Sequence, residues 1–600
     1  MGAWQPRQGH APQNSPDLER IIALPRRAPV EAHTPLARAL VLHQTQKFRR
    51  REPIPCNCKA TRGYCITELK PAQAWALYEI DRAQGLVGSI QVGAGKTVIN
   101  VLAPIAIGAC RVAVLLVPPN TVDQLVVEYE ALAQHFDVPS LITHHPVTIR
   151  GTRQNYERLL PHRPVLHVVP YSRLSRPEAT RLLTQIGPDL IIADEAHKLS
   201  DMTTTTTRRW ARQMAATNPP PRFVCYSGSI LEKTIKEMAH LMVAALGDQA
   251  PLPIDTHELY AWSAAIDPVP MPAPDGALVR LNPDGRFPST RAALSDRIVH
   301  TLGFVATLEP SVDVKLTIRP DESLTTPPEL RALISDAVDR KVRPDGEELV
   351  EPLERYECAL QLASGFYYRW IYPRREPAEL IDKWFARRKA WRAELRAFFE
   401  ESACEHLDSE FLITQAGLRG LGKLAPDPKL PSWQPTQLLP WLEIRDQVQP
   451  QTKAVRVSDF FVQHLAQRAA REVQVIWYDQ TELGVWLAEV SGLPRHGGGP
   501  KAPTEIAKER GTRSIIASIG AHGTGRDGLQ YGFHKQYVAT PPTGAKLWQQ
   551  LMGRLHRQGQ TRDVYTEYAA HHAVLKQSFE SATDRAFFVT EMLRGQHKIL

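Results

Sequence analysis

The stretch LVGSIQVGAGKTVINVLAP, residues 86–104, decides the fold of this chain. It contains a short apolar strand, a glycine-rich turn and an apolar helix in that order, which is the context of a phosphate-binding loop. Gly93, Ala94 and Gly95 form the turn, and the glycines let the backbone bend so that its amides and the helix N-terminus face an anion. The strict phosphate-loop pattern has a glycine where this chain has Ile90. A second feature is therefore needed to identify the site.

Two pairs of side chains provide the chemistry of a nucleoside triphosphate site. Lys96 follows the turn and can reach the terminal phosphates, while the Thr97 hydroxyl can hold magnesium. Further along, in DLIIADEAHKLSD (residues 189–201), an apolar strand ends in two adjacent carboxylates. Asp194 can hold magnesium through water, and Glu195 can polarise the water that attacks the γ-phosphate. Together the two motifs predict ATP and Mg²⁺ as the bound species.

Length and composition exclude several classes of protein. A chain of 600 residues with 43% apolar residues exceeds what one hydrophobic core serves, and it predicts two or three domains. No run approaches the roughly 18 consecutive apolar residues of a membrane span. The N-terminus also lacks a charged start followed by an apolar block, so we expect a soluble, cytoplasmic protein. The net charge of +8 permits a polyanionic partner.

The pattern of apolar runs predicts an α/β fold with two lobes. Short β-branched runs alternate with helical stretches in the first and second lobes, which predicts parallel sheets flanked by helices. Between the lobes the sequence changes to Pro-rich connectors and helical segments. The predicted divisions are a partly disordered arm at 1–65, a first lobe at 66–248, a largely helical insertion at 249–449, a second lobe at 450–572 and a C-terminal helical segment at 573–600.

The predicted insertion contains two long helical segments, LERYECALQLASGFYYRW and AELIDKWFARRKAWRAELRAFFEES. In the second segment Trp384, Trp391, Leu395 and Phe398 have helical spacing and form a predicted core stripe, with the arginines facing solvent. The alternative is that its aromatic and basic groups lie on a nucleic-acid backbone. The insertion is also a candidate surface for a protein partner.

Three of the seven cysteines lie close together in PCNCKATRGYC, residues 55–65. Cys56, Cys58 and Cys65 could give three thiolates to zinc, with His43 as a fourth ligand. The usual C-x₂-C pairing is missing. The alternative is a cysteine-containing loop that packs beside the first strand.

The order GAGKT and then DEAH resembles the signature of superfamily 2 helicases, whose two lobes are RecA-like. The segment ELKPAQAWAL resembles L-x-x-Y-Q, the motif with which the fold begins in the Snf2-like branch. This resemblance makes Gln73 the candidate residue for adenine recognition. VAVLLVPPNTVDQLVVEY resembles the motif in which a strand delivers a Pro-containing turn to the DNA backbone. Its candidate contacts are Asn120, Thr121 and Gln124.

Further segments resemble the motifs that contact nucleic acid and couple hydrolysis to lobe movement. HVVPYSRL resembles a backbone-contacting element, with Tyr171 and Ser172 as its candidates. FVCYSGSILEK resembles the coupling motif S/T-G-T-P, and its residues are Ser227, Gly228 and Ser229, followed by Ile230 in place of proline.

The second lobe contains a glycine-rich segment and a paired-arginine motif. IIASIGAHGTGRDGLQYGF resembles S-x-x-x-G-G-x-G-x-N, either with Ser518, Gly523 and Gly525 in register or, with two residues inserted, with Gly528 and Gln530. The resemblance makes Ser518 a candidate nucleic-acid contact and Gly525 a coupling residue, and Asp527 could bond to an arginine finger. WQQLMGRLHRQGQTRDV resembles the Snf2-like pattern Q-x-x-x-R-x-x-R-x-G-Q, which the chain matches at Gln550, Arg554, Arg557, Gly559 and Gln560.

The paired arginines lie three apart, so they are predicted on one helix face from which both reach a nucleotide held by the other lobe. The resemblance implies that Gln550 contributes to ATP binding. It implies a DNA-dependent ATPase that moves along double-stranded DNA. Two alternatives stay open, a strand-separating DNA or RNA helicase and an ATP-regulated nucleic-acid clamp. The compact insertions, the Pro-rich arm and GFYYRW resemble helicases of bacterial viruses, which suggests a phage or bacterial origin.

Overall fold

The computed structural model describes residues 11–31, 33–52, 54–57, 65–91, 93–145, 147–148, 151–152, 154–202, 204–269, 271–307, 312–372, 376–401, 410–425, 433–499, 502–523, 528–595 and 597–600. Over these residues, no helix combines the length and the apolar character needed to cross a membrane.

The helices of the first half of the chain are α1 (Pro16–Ala23), α2 (Pro35–Phe48), α3 (Pro71–Ala83), α4 (Lys96–Ala106), α5 (Val122–Leu132), α6 (Tyr171–Leu174), α7 (Leu182–Ile186), α8 (Thr205–Ala216), α9 (Lys236–Leu246), α10 (Thr256–Ile266) and α11 (Thr290–Val299). Those of the second half are α12 (Pro328–Val338), α13 (Pro352–Ala363), α14 (Ala378–Glu401), α15 (Glu410–Gly420), α16 (Leu438–Arg445), α17 (Phe460–Arg471), α18 (Thr481–Ser491), α19 (Ala502–Ile506), α20 (Ile519–His522), α21 (Leu529–Gly532), α22 (Ala545–Leu555) and α23 (Ala573–Leu593).

The first lobe is built on an eight-stranded sheet with the order β10-β1-β9-β8-β2-β7-β3-β6. β3 pairs antiparallel with β6, and the other neighbours pair in parallel. The apolar runs that predicted strands form the buried centre of this sheet. Its strands are β1 (Leu86–Ser89), β2 (Val112–Val117), β3 (Ser140–Thr143), β6 (Glu157–Arg158), β7 (Val165–Pro170), β8 (Leu190–Asp194), β9 (Arg222–Ser227) and β10 (Phe304–Ala306), and a separate hairpin joins β4 (Val147–Thr148) to β5 (Gly151–Thr152).

The second lobe is a six-stranded parallel sheet with the order β11-β18-β17-β14-β16-β15. Two parallel sheets flanked by helices are the architecture expected of RecA-like lobes, so the predicted fold class is confirmed. The strands are β11 (Leu316–Asp321), β14 (Val475–Tyr478), β15 (Arg495–His496), β16 (Ile515–Ser518), β17 (Lys535–Val538) and β18 (Val564–Ala569).

The predicted insertion at 249–449 is shared between the two lobes. β10 pairs with β1 at the edge of the first sheet, whereas β11 pairs with β18 at the edge of the second. The chain therefore passes from one sheet to the other between these strands, inside the predicted insertion. β10 is only three residues long and β11 contains Pro320, so both carry little periodic signal, which is why the sequence pattern missed them.

The second half of the predicted insertion has its own core around α14. Trp384, Trp391 and Leu395 are buried there with residues of α15 and α16, so the predicted core stripe is confirmed. The prediction that the arginines of α14 face solvent is wrong for three of them. Arg388, Arg392 and Arg396 form ion pairs with Glu347, Glu354 and Glu348, respectively.

GFYYRW was predicted as the end of a helix, and this prediction is wrong. α13 ends at Ala363, and the aromatic run forms β12 (Phe366–Ile371), which pairs antiparallel with β13 (Gln451–Arg456). Gly365 has a φ of 91°, a left-handed conformation that ends the helix. The aromatic residues after it favour a strand.

The arm was predicted as extended or partly disordered, but its described residues form helices. Ser15 caps α1 by accepting a hydrogen bond from the Leu18 amide, and Thr34 caps α2 through the Ala37 amide. Leu18 and Ile21 of α1 are buried in the first-lobe core. Tertiary packing therefore orders a segment whose composition is otherwise typical of loops.

The C-terminal helix α23 joins the cores of both lobes. Val574 near its start packs in the second-lobe core, whereas Phe588 and Met592 near its end pack in the first-lobe core. An ion pair of 3.1 Å between Arg291 and Glu591 adds to the first-lobe contact. The predicted C-terminal helix therefore connects the two lobes by packing against both of their cores.

Asp321 at the end of β11 fastens this edge strand to the second lobe. It is buried, with 4% of its surface exposed, and its Oδ2 accepts hydrogen bonds from His464 Nε2 at 2.8 Å and Tyr537 OH at 3.0 Å. Burial opposes its ionisation, but hydrogen bonds from His464 and Ser323 outweigh burial and hold the pKa of Asp321 well below its usual range.

We expect Asp321→Asn to lower the free energy of unfolding by about 2 kcal/mol at neutral pH, because charged hydrogen bonds are lost. A lowered pKa stabilises the fold only above the unfolded value of about 3.9, so the difference from the wild type should shrink as the pH falls below that value. Urea unfolding at neutral and acidic pH measures this. A difference that is independent of pH would contradict the assignment.

Candidate nucleotide site between two lobes

The turn after β1 is held by a side chain from α3. Gln73 Nε2 donates to the carbonyl oxygens of Ala94 at 3.3 Å and Gly95 at 2.9 Å, and its Oε1 accepts from the Lys70 amide at 2.8 Å. Gly93 and Gly95 have φ values of 92° and 78°, a region that favours glycine. Both ends of the Gln73 amide are thus engaged by backbone, so reading adenine would require these bonds to open.

Lys96 and Glu195 form the central ion pair of the first lobe. Lys96 lies at the first position of α4, and its Nζ is 2.5 Å from Glu195 Oε1. Glu195 follows β8 in a left-handed conformation, with a φ of 55°. A non-glycine residue in this conformation is strained, and such strain is typical of functional sites. The turn directs the carboxylate back towards α4.

Asp194 is held from three sides. Asn100 Nδ2 donates to its Oδ2 at 3.2 Å, Tyr226 donates to Asn100 Oδ1, and Tyr171 OH donates to the Asp194 carbonyl at 2.9 Å. Its Oδ1 is buried and has no hydrogen-bond partner among the described residues. A buried, unpaired carboxylate oxygen is costly, and oxygen is the ligand that Mg²⁺ prefers. Asp194 therefore fits the predicted magnesium site, and Thr97, the other predicted ligand, is the second residue of α4.

The two carboxylates differ in their ease of ionisation. Burial raises the pKa of Asp194 to about 6, against the opposing charge of Lys96. Burial also disfavours ionised Glu195, but the charge of Lys96 and a hydrogen bond from His197 outweigh it and hold the pKa of Glu195 well below its usual range. Glu195 is therefore the charged partner of Lys96, whereas Asp194 lacks a full countercharge that a cation would provide.

The coupling segment after β9 contacts Glu195 directly. Ser227 Oγ donates to Glu195 Oε2 at 2.9 Å and accepts from the Ser229 amide at 3.1 Å. His197 Nδ1 lies 2.9 Å from the Ser227 hydroxyl. Gly228 lies in the turn between the two serines, and Ile230, which stands in place of proline, is buried in the first-lobe core. The segment is therefore joined to the carboxylate through hydrogen bonds.

The second lobe brings Arg554 to the nucleotide turn. Arg554 is buried near the end of α22, its Nε donates to the Gln550 carbonyl at 3.3 Å, and its charge acts on Lys96. The prediction of one helix face for both arginines is wrong, because α22 ends at Leu555. Arg557 lies in the following turn, where its charge lowers the pKa of Lys70 and Lys598 in addition to the larger effect of their burial.

Two further lysines join the lobes at this site. Lys70 Nζ, next to α3, donates to Gln558 Oε1 of the second lobe at 2.6 Å. Burial lowers the pKa of Lys546 at the start of α22 to about 8, with a further contribution from Lys198, and Lys546 also interacts with Glu195. The motifs did not indicate Lys546 or Asn100. They indicated His197 only as the histidine of DEAH.

The candidate nucleic-acid contacts divide into exposed and buried residues. Asn120 and Gln124 are exposed near the start of α5, and Thr121 stands at the N-cap position of that helix without a side-chain capping hydrogen bond. Ser518 ends β16 and caps α20. Tyr171 is buried with its hydroxyl on Asp194, and Ser172 Oγ is buried. The prediction that Tyr171 and Ser172 touch a nucleic-acid backbone is therefore wrong for this arrangement. Gly525 and Asp527 lie outside the described residues.

The candidate zinc ligands are only partly brought together. Cys56 and Cys65 are close, and the third group beside them is His135. His43, the predicted fourth ligand, is exposed on α2. Cys58 lies outside the described residues. Local spacing could not indicate His135, because it lies 70 residues beyond Cys65 in the chain.

A family model described as DEAD/DEAH box helicase matches residues 70–238. The match covers α3, the phosphate-binding turn, the DEAH segment and the coupling segment. It covers 169 of the 600 residues and supports a helicase superfamily for the first lobe, a class of ATP-dependent proteins that act on nucleic acid. No curated protein matches the chain.

We expect Gly95→Ala to weaken ATP binding at least about tenfold, or ~1.4 kcal/mol. An alanine at this position would have to keep the left-handed φ of 78°, and its β-carbon would collide with Gln73 Nε2. The collision would displace the turn. The matched control is Gly108→Ala beyond the other end of α4, where φ is 80° and no atom lies within 4 Å. Calorimetric titration with ATP compares the two. Equal losses would show that backbone strain alone is responsible.

Proposed function

We propose that this chain is an ATP-dependent motor of the Snf2-like type, which hydrolyses ATP between two RecA-like lobes to move along or remodel double-stranded DNA. The nucleotide would lie on the turn at Gly93–Gly95, with Mg²⁺ held by Thr97 and Asp194. The proposal extends the helicase-superfamily assignment of the first lobe to a substrate and a mode of action. A phage or bacterial origin accords with it.

One observation carries the proposal. Lys70 Nζ, beside the nucleotide turn, donates to Gln558 Oε1 of the second lobe at 2.6 Å. Arg554, which is buried four residues before Gln558, adds a charge that acts on Lys96. Lys96 and Glu195, which could bind phosphate and activate water, thus belong to the first lobe, whereas the arginine comes from the second. Arginine contributed in this way stabilises charge on the transferred γ-phosphate. Hydrolysis then depends on the distance between the lobes.

The contacts of Glu195 support a coupling route. An incoming triphosphate competes for Lys96, which releases Glu195 Oε1 to polarise water. Glu195 Oε2 remains on Ser227 Oγ, 2.9 Å away, and the Ser229 amide holds that same hydroxyl. A change in the charge or position of Glu195 therefore acts on the turn after β9.

The preference for duplex DNA is supported by the Gly-Gln ending of the paired-arginine motif at Gly559 and Gln560, which resembles the Snf2-like branch. The exposed Asn120 and Gln124 are the first-lobe contacts we propose for the backbone of the nucleic acid. A strand-separating helicase is the second candidate, since the family match over 70–238 is compatible with either action. An ATP-regulated clamp is the third.

We expect duplex DNA to raise the ATPase rate more than single strands or ATP alone do. Glu195→Gln should lower kcat by ~10²–10⁴-fold, the usual contribution of a group that activates water, while ATP still binds. A coupled-enzyme phosphate assay with plain duplex, forked and single-stranded DNA measures both. Stimulation by single strands alone would favour the unwinding helicase. An unchanged biological effect of Lys96→Ala would favour the clamp.

We expect Arg554→Ala and Arg557→Ala to differ, because the charge of Arg554 acts on Lys96, whereas that of Arg557 acts on Lys70 and Lys598. Loss of an arginine finger lowers kcat by about 10³-fold or more, and we expect this for Arg554→Ala with little change in ATP affinity. Arg557→Ala should have a smaller effect on kcat. Single-turnover hydrolysis separates the two quantities. Equal losses in kcat would contradict the distinction.

A further inference from the structure

Three metal-ligating groups meet at the junction of the arm and the first lobe. Cys56 Sγ lies 3.4 Å from Cys65 Sγ and 3.2 Å from His135 Nε2. All three ligand atoms are within 4.8 Å of one another. Two come from the segment between α2 and α3, and the third comes from the turn after α5.

The backbone around these groups is fixed independently of them. The Arg50 amide donates to the His135 carbonyl at 2.9 Å, and Arg49 forms an antiparallel bridge with Phe136. Asn57 and Gln134 exchange two hydrogen bonds, of 3.2 and 3.0 Å. The segment therefore already lies against the turn after α5 on either side of Cys56. A ligand set held in advance loses less entropy when an ion binds.

The chemistry of the three groups selects the ion. Two thiolates and an imidazole are the ligands that Zn²⁺ takes at about 2.0–2.3 Å, and carboxylate-seeking cations such as Mg²⁺ do not favour sulfur. Ligands at those distances from one ion lie about 3.3–3.8 Å apart in a tetrahedron. The separations of 3.4 and 3.2 Å need only small movements to match.

We propose that Cys56, Cys65 and His135 bind a zinc ion that fastens the segment before α3 to the end of α5. The site rests on these three described groups. Cys56 is exposed, so an ion can enter from solvent. The proposal is independent of the proposed motor function.

The proposed zinc ion would link α3 and α5, two helices of the first lobe that have separate proposed roles. α3 holds the phosphate-binding turn through Gln73. α5 begins at the exposed candidate backbone contacts, and His135 follows its other end. An ion at this position would therefore hold α3 and α5 at a fixed spacing, as structural zinc does in small modules.

The test is the metal content of the full chain, purified without metal affinity or chelators and kept reduced. Inductively coupled plasma mass spectrometry should find about one zinc ion per chain in the wild type. Cys56→Ser or His135→Ala should remove most of this zinc. Replacement by Co²⁺ should give thiolate charge-transfer absorption and the visible bands of a tetrahedral site. The cobalt measurement on the wild type decides the question even if a variant does not fold.

Two matched controls sharpen the test. His43→Ala removes the histidine that the sequence alone favoured, and Cys110→Ser removes a half-buried thiol elsewhere in the first lobe. Both should keep the zinc. The proposal is overturned if the reduced wild type binds neither zinc nor cobalt, or if His43→Ala loses the metal while His135→Ala retains it.

Discussion

The ion pair between Lys96 and Glu195 is the constraint on which the rest of the site depends. Each charge loses solvent on burial, and an unpaired buried charge costs several kcal/mol. Lys96 begins α4 and Glu195 follows β8, so the pair fixes a helix against the end of a strand. Asp194, Ser227 and the strained backbone of Glu195 are arranged around it. The groups that we propose to bind phosphate and to activate water are thereby held in register.

The charges around this pair are unbalanced, and the imbalance suits a polyanion. Lys96, Arg554 and Lys546 face Asp194 and Glu195, and Lys70 lies close by in the same cleft. Burial and the charge of Lys198 lower the pKa of Lys546 to about 8, which indicates that the charge of Lys546 is poorly compensated. A triphosphate would supply the missing negative charge. The same charge would draw the second lobe towards the first, which links binding to closure.

The sequence predicted those parts of the site that depend on neighbours in the chain. Lys96, Asp194 and Glu195 follow directly from strand ends, and the central strands are continuous apolar runs. The wrong predictions concern a helix boundary and partners that are distant in the chain. Arg557 lies outside the predicted helix because α22 ends at Leu555. The Tyr171 hydroxyl is hydrogen-bonded to the carbonyl oxygen of Asp194 in the interior. His135 joined the cysteines through a turn far along the chain, for which local spacing gives no signal.

The connections between the lobes constrain how the site can open and close. The chain crosses from the first sheet to the second between β10 and β11, and α23 returns to pack its end in the first-lobe core. An ion pair of 2.8 Å between Arg594 and buried Asp296 holds that end. Two tethers on a pair of rigid bodies allow rotation more readily than separation. Arg554 can therefore approach or leave Lys96 while the lobes stay joined, which is the movement that a hydrolysis-driven motor requires.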